Sequence, residues 1–317
     1  MTTTTTRWHR PLLWLSAAMG LLAVAATIGA IVDPREVLGV NLWFKPLKFA
    51  ISIAIYSVTL SWLLSLIERR RRFFWTLGTV SVVGLVAEIV IIVGAAALGG
   101  TSHFNVSTPL STALWSVMAV SITVVWMIVL VVSIALLRAD LGDRARTVAI
   151  RAGALLAVVG MGLAFLMTSP NAQQLADFQG VAGAHAVGIA DGGPGLPLLG
   201  WSTVAGDLRI PHFVGMHALQ FFPLLAIGLE LASRRLGVLR SVEVRRRILW
   251  VAIAGFTATI AVLTWQALSG QSIVRPAGPV LVAGIAVAAA TSIGLLLAVL
   301  LPQRAAVATK SEYEIVS

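Results

Sequence analysis

Asp207, Arg209, His212, His217 and Gln220 fall within fifteen residues, so an acid, a base, two imidazoles and an amide stand together at the mouth of a long apolar segment. Imidazoles with a carboxylate can hold a divalent metal with one open position for water, or share a proton as general acid and base. Earlier in the chain, Glu88 sits inside an apolar run, where a carboxylate is costly and faces the bundle interior, paired or protonated. It reads as a proton carrier, a general base or a ligand. Glu88, Asp207 and His212 are therefore the candidate catalytic residues.

His103 and His217 are the candidate metal ligands, with zinc or haem iron as the metal. His212 and His217 are five residues apart and point about 140° from each other on a helix. They cannot grip one ion from one face, so His103, in the short segment Thr101 to Asn105, is expected to supply the second imidazole. Lys45, Lys48, Asn105, Arg209, Gln220, Gln266, Gln271 and Arg275 are the candidate substrate-binding residues. The lysines and arginines among them would receive an anion, or else anchor the chain at a membrane interface. His185 and His9 read as ordinary polar residues.

The elements that carry these groups are membrane spans. The chain is 58% hydrophobic and 11% charged, where soluble domains carry about 25% charge. Eight segments reach the roughly 20 apolar residues needed to cross: 12–32, 47–67, 73–98, 111–137, 148–168, 212–232, 248–268 and 277–301. The spacing predicts an all-α integral membrane protein. Residues 1–11 form a leader, 12–301 the membrane domain and 302–317 a polar tail. Eighteen of the 23 Lys and Arg residues lie on one side of this arrangement. The positive-inside rule then places both termini in the cytoplasm, in a bacterial plasma membrane, with the basic loops against anionic lipid. The same pattern explains the net charge of +10 and excludes nucleic-acid binding. With no cysteine, disulfides and thiolate ligands are excluded.

Ala97 to Ser102 resembles Ala267 to Ser272, and the same offset brings Pro109 onto Pro279. This points to a parallel repeat of four helices plus four. Strongly polar residues fall in the second, third, sixth and seventh spans, which are expected to be central, with the others facing lipid. Those residues cluster in the outer half, and the cytoplasmic half is read as almost without polar groups. Pro223 removes a hydrogen bond to the Leu219 carbonyl and is expected to kink the sixth span. The glycine-rich connection 169–210 is long enough to be a lid, with a short surface helix expected within Gln173 to Gly188.

A plan of eight helices with histidines in the outer half resembles haem-handling membrane proteins, which would imply histidine ligation of iron. Three functions follow. The first is a metal- or haem-dependent membrane enzyme acting on a lipid or lipid-soluble substrate. The second is a proton-coupled permease of a small anionic solute, and the third a binding or sensory protein.

Overall fold

The computed structural model describes residues 7–301. The leader before residue 7 and the tail after residue 301 lie outside the described residues. The helices are α1 (Arg10–Val32), α2 (Phe44–Ser65), α3 (Arg71–Ala97), α4 (Pro109–Leu136), α5 (Arg144–Gly162), α6 (Ala172–Ala176), α7 (Arg209–Met216), α8 (Ala218–Ala232), α9 (Val242–Leu268) and α10 (Gly278–Leu300). Seven are long and apolar enough to span a membrane, or eight if α7 and α8 form one bent span. The protein is a multi-pass helical membrane protein.

Short connections make α1 to α4 an up-and-down set, with α1 on α2, α2 on α3 and α3 on α4. In the second set, α5 packs against α4, α7, α8 and α9 at once, and α10 rests mainly on α9. The fifth span is therefore central, contrary to the expectation that it faces lipid. The reason lies in small residues rather than polar ones. Ala145, Ala149, Gly153, Ala157 and Gly160 form the buried face of α5, and small residues let helix backbones close together. A Cβ on Gly160 would lie 2.1 Å from the Gly215 carbonyl carbon, and one on Gly153 would lie 2.7 Å from the Ala218 oxygen. Here α5 meets α7 and α8 backbone to backbone.

The sixth span breaks at His217, with a 42° bend between α7 and α8. The break is six residues before Pro223, which α8 absorbs within its own length. The physical cause is local. His217 Nδ1 lies 2.7 Å from the Phe213 oxygen, so its ring draws on the carbonyl that the backbone ladder uses, and such side-chain back-bonding bends helices. The expected kink at Pro223 is thus replaced by a break at a histidine.

The connection 169–208 is ordered over one end of the bundle, here called the loop end. The surface helix within it is only the five residues of α6. Beyond it, Asn105 bridges Val181, β1 (Ala186–Val187) pairs antiparallel with β2 (Gly206–Asp207), and the Ala184 N–H donates to Met167 O. At the opposite, arginine-rich end, Arg146 pairs with Glu230 at 2.6 Å and Arg245 with Asp143 at 2.8 Å. The matching segments Ala97–Ser102 and Ala267–Ser272 have the same helix cap: Gly99 has φ +71° and Gly270 φ +72°. Each cap is a left-handed glycine closing the last turn.

Candidate functional site

Asp207 is the fixed point of the loop end. Its side chain is wholly buried and accepts from Ser202 N at 2.8 Å and from Arg209 N at 3.0 Å. Arg209 forks onto both carboxylate oxygens, with Nη2 at 2.6 Å, and the same nitrogen donates to Gly200 O at 2.6 Å. This geometry uses both oxygens of Asp207 to hold the Arg209 guanidinium in place. Asp207 is thus an anchor for a cation rather than a free base.

Lys48 Nζ reaches the same turn from α2, donating to Leu199 O at 2.8 Å. A Cβ on Gly200 would stand 3.9 Å from Lys48 Nζ and 4.0 Å from Arg209 Nη1, so the bare glycine separates the two cations. Gly200 has φ +66°, the left-handed conformation that suits glycine. Lys45, one turn earlier on α2, lies within the fields of Lys48, Arg209, Asp191 and Glu88. Among the described residues neither lysine has a carboxylate within salt-bridge distance. Two half-buried ammonium groups and an arginine therefore meet under the loop with Asp207 as the one bonded counter-charge.

Two histidines, His103 and His185, stand beside this group. His103 packs between Phe49 and Trp115, with ring centroids 5.6 and 5.4 Å away, and Ser102 Oγ lies 3.0 Å from its Nδ1. Burial pushes its imidazole well below the usual histidine range, and the fields of Lys45 and His185 add to the effect. His185 Nδ1 lies 2.6 Å from Asp191 Oδ2 and its ring packs 4.9 Å from Phe104. Burial lowers its pKa against the opposing pull of Asp191. For Asp191 burial acts upward, yet the hydrogen bond and charge of His185 and two backbone N–H groups bring its carboxyl below the ordinary value.

The other candidates take separate places. His212 turns into the α5 interface, with Nδ1 2.8 Å from Gly160 O. His217 packs against Phe213, with ring centroids 4.2 Å apart and the planes tilted by 39°, in the break between α7 and α8. Among the described residues no three His, Asp or Glu side chains come together as a metal-holding group. His103 and His217 are therefore not assembled with a carboxylate as a zinc site would require. Asn105 closes a turn by accepting from Ser107 N at 3.1 Å. Gln266 donates to Ser272 O at 2.8 Å and Gln271 accepts from Ala277 N at 2.9 Å, which ties the α9–α10 connection. Arg275 is exposed on that connection.

Gln220 is different, because it crosses from α8 to α2, where Nε2 donates to Thr59 Oγ1 at 3.3 Å. One turn farther toward the arginine end, a cavity of about 380 Å³ opens between α2, α5, α8 and the α4–α5 connection, lined by Trp62, Leu66, Asp140, Arg146, Ile150 and Pro223. Along α2 the Lys48 level lies about 16 Å from the Thr59 level at 1.5 Å per residue. The seam between α2 and the broken span α7–α8 thus carries cations at one end, an amide–hydroxyl contact in the middle and, where α5 joins it, a cavity with an arginine at the other.

Glu88 is 4% exposed, and its Oε1 has no hydrogen-bond partner among the described residues. It faces neither Lys48 nor a histidine, and the charge acting on it is Lys45. The arginine-rich half is not bare of polar groups as expected. Tyr56, Ser57, Ser61, Ser81 and His9 are all buried there. His9 caps α1 by accepting from Leu12 N through Nδ1 at 3.3 Å, while its Nε2 lies 3.0 Å from Trp75 O and 3.3 Å from Thr79 Oγ1. The sequence signal was present: Tyr56 is one of two tyrosines, and Ser57 and Ser61 share a helical face. No protein-family model matches the chain, and neither the curated proteins nor the solved structures contain a significant match to it.

Proposed function

We propose that the protein is a proton-coupled permease for a small anionic solute, which enters at Lys45, Lys48 and Arg209 and moves along the seam between α2 and the broken span α7–α8. The observation that carries this reading is the succession of three levels along α2 opposite the broken span: the cation group with Arg209 of α7, the Gln220–Thr59 contact from α8, and the cavity beside Arg146 of α5. Ammonium groups partly withdrawn from water with no carboxylate beside them are costly, and among the described residues Lys48 has only the neutral Leu199 carbonyl at 2.8 Å, so the two lysines favour a bound anion. Gln220 and Thr59 offer a weak 3.3 Å contact that can be exchanged for contacts to a solute. The cation that receives the solute on the far side is Arg146, which Glu230 holds in place at the cavity wall. Orientation follows the arginine count, with the loop end outside.

Glu88 supplies the coupling group, being an unpartnered carboxyl within reach of Lys45's field. A proton on Glu88 weakens the competition between carboxylate and solute for Lys45, and loss of that proton strengthens it. The metal-enzyme reading is not preferred, because the histidines stand on separate faces with their own protein partners.

The test is thermal denaturation of the detergent-solubilised protein with phosphate, sulfate, acetate and succinate at matched ionic strength. A ligand at a hundred times its Kd stabilises the folded state by about 2.7 kcal/mol. At least one anion should raise the midpoint of the wild type, and Lys45→Gln with Lys48→Gln should abolish the rise. If no anion in the panel acts on the wild type, or if the double variant responds like it, the reading fails.

A further inference from the structure

Five buried side-chain atoms in the described structure lack a hydrogen-bond partner, and four of them lie on α2 and α3: Tyr56 Oη, Ser57 Oγ, Ser81 Oγ and Glu88 Oε1. Six other intramembrane hydroxyls behave differently. Thr59, Thr76, Thr123, Ser133, Thr259 and Thr264 each bond back to the carbonyl four residues earlier, at 2.7 to 3.1 Å. That is the default for a helical hydroxyl in hydrocarbon. Ser57 and Ser81 also sit in helices and do not take it. Buried polar groups are nearly always satisfied by protein or ordered water, so a cluster of exceptions marks a place for water.

The cluster is ordered along the membrane. Gly78, Ser81, Leu85 and Glu88 share the buried face of α3. Glu88 stands about 10 Å from the Ser81 level along the helix. Tyr56 faces Ser81 across the α2–α3 interface without closing a hydrogen bond. Ser57 and Ser61 follow on α2, one turn apart. Ser61 Oγ accepts from His9 N at 2.8 Å and lies 3.3 Å from His9 O. The His9 imidazole fits against α3 only because residue 78 is glycine, since a Cβ there would be 2.9 Å from Nε2. The charged groups facing this line are Lys45 of α2, at Glu88, and Arg71 of α3, whose Nη2 lies 3.5 Å from Arg7 O beside His9.

We propose that these residues form a hydrated proton path from Glu88, past Tyr56, Ser81, Ser57 and Ser61, to His9 at the arginine-rich end. Each hydroxyl accepts a proton on its oxygen and releases the one it held, and rotation about its C–O bond resets it. Water bridges the intervals, and Leu85 is the apolar step between Glu88 and Ser81. His9 ends the path: Ser61 holds its backbone, and at its ring a proton arriving by water on Nδ1 displaces the Leu12 N–H while the proton on Nε2 leaves toward Thr79 Oγ1. The proposal rests on Glu88 as the coupling group in the permease reading, but its atoms are distinct from the anion seam.

The experiment is proton entry into liposomes containing the full chain and an internal pH dye, driven by an inside-negative potassium diffusion potential. It is run in chloride medium with and without phosphate. Wild type should acidify faster than protein-free liposomes in at least one medium. Tyr56→Phe and the pair Ser57→Ala with Ser81→Ala should each slow entry several-fold, and Glu88→Gln should slow it at least tenfold. Tyr56→Phe removes an oxygen with no partner, so its melting midpoint should match or exceed wild type, which separates loss of the path from loss of the fold. Wild-type entry at the protein-free rate overturns the proposal, as do Tyr56→Phe and Ser57→Ala/Ser81→Ala liposomes that acidify like wild type. Proton entry that persists when no anion stabilises the protein would sink the anion seam and leave the path standing.

Discussion

Gly160→Ala probes the packing on which the second helix set depends. The added carbon would lie 2.1 Å from the Gly215 carbonyl carbon, 2.2 Å from Met216 N and 2.4 Å from Gly215 Cα. Van der Waals contact needs about 3.4 Å or more, and all three atoms are backbone, so no rotamer change relieves the clash. α5 and α7 must therefore part by more than about 1 Å. Overpacking of this kind costs about 1–3 kcal/mol. The shift also stretches the 2.8 Å contact of His212 with Gly160 O, worth about 0.5–1.5 kcal/mol. Together these give about 2–4 kcal/mol. A kcal/mol moves the midpoint of a large domain by about 2–4 °C, so the variant should melt roughly 5–15 °C lower by tryptophan fluorescence in detergent. Gly228→Ala and Gly284→Ala are the controls, because each adds a carbon with nothing within 4 Å. They should match or slightly exceed wild type, since alanine is the better helix former by about 1 kcal/mol. A Gly160→Ala midpoint equal to that of the controls would refute the backbone contact between α5 and α7.

Asp207→Asn leaves Arg209 without its counter-charge in a buried site, and removing one partner of such a pair costs about 3–5 kcal/mol. The variant should lose both thermal stability and the anion response, while Arg275→Gln, on an exposed connection, should change neither. The loop end should also open in acid. His103 and His185 have pKa values below the ordinary 6.5, and an opened loop would restore them. The opened form therefore binds protons first, and docking that is complete above about pH 6.5 weakens as pH falls toward the lowered values. Asp191, lowered in the docked state, acts in the same direction farther down the pH scale. Proteolysis within residues 169–208 should accordingly be faster at pH 5 than at pH 8, and equal rates would contradict the shifts.

Most of the membrane architecture was legible in the sequence because apolar length sets a span regardless of what it packs against. Each expected span overlaps an observed helix, with the sixth divided in two. What was not legible is which helix sits in the middle. Polar residues suggested the second, third, sixth and seventh spans, but centrality in α5 comes from alanine and glycine, whose meaning depends on what lies opposite. His217 was read as a ligand because imidazole chemistry is conspicuous in sequence, whereas its use of the Phe213 carbonyl depends on a local geometry that spacing does not reveal. His9 was passed over for the opposite reason. It lies outside any span in sequence, and only the folding of α1 against α2 and α3 buries it. The cation group was half legible: Lys45, Lys48 and Arg209 were named together, but the Gly200 turn between them lies within a loop with no periodicity to read.

The bend at His217 has a mechanical meaning. α7 is eight residues long, about 12 Å on the helical rise, and at 42° its far end is displaced by about 8 Å from a straight continuation of α8. Arg209 sits at that end, held to Gly200 and Asp207 by bonds of 2.6 Å. No side chain could follow an 8 Å excursion and keep those bonds. α7 is thus a lever whose pivot is one histidine ring, and straightening it would pull the arginine out of the cation group. The same swing would shear the Gly160–Gly215 contact, so the pivot, the grip on α5 and the hold on Arg209 can only change together.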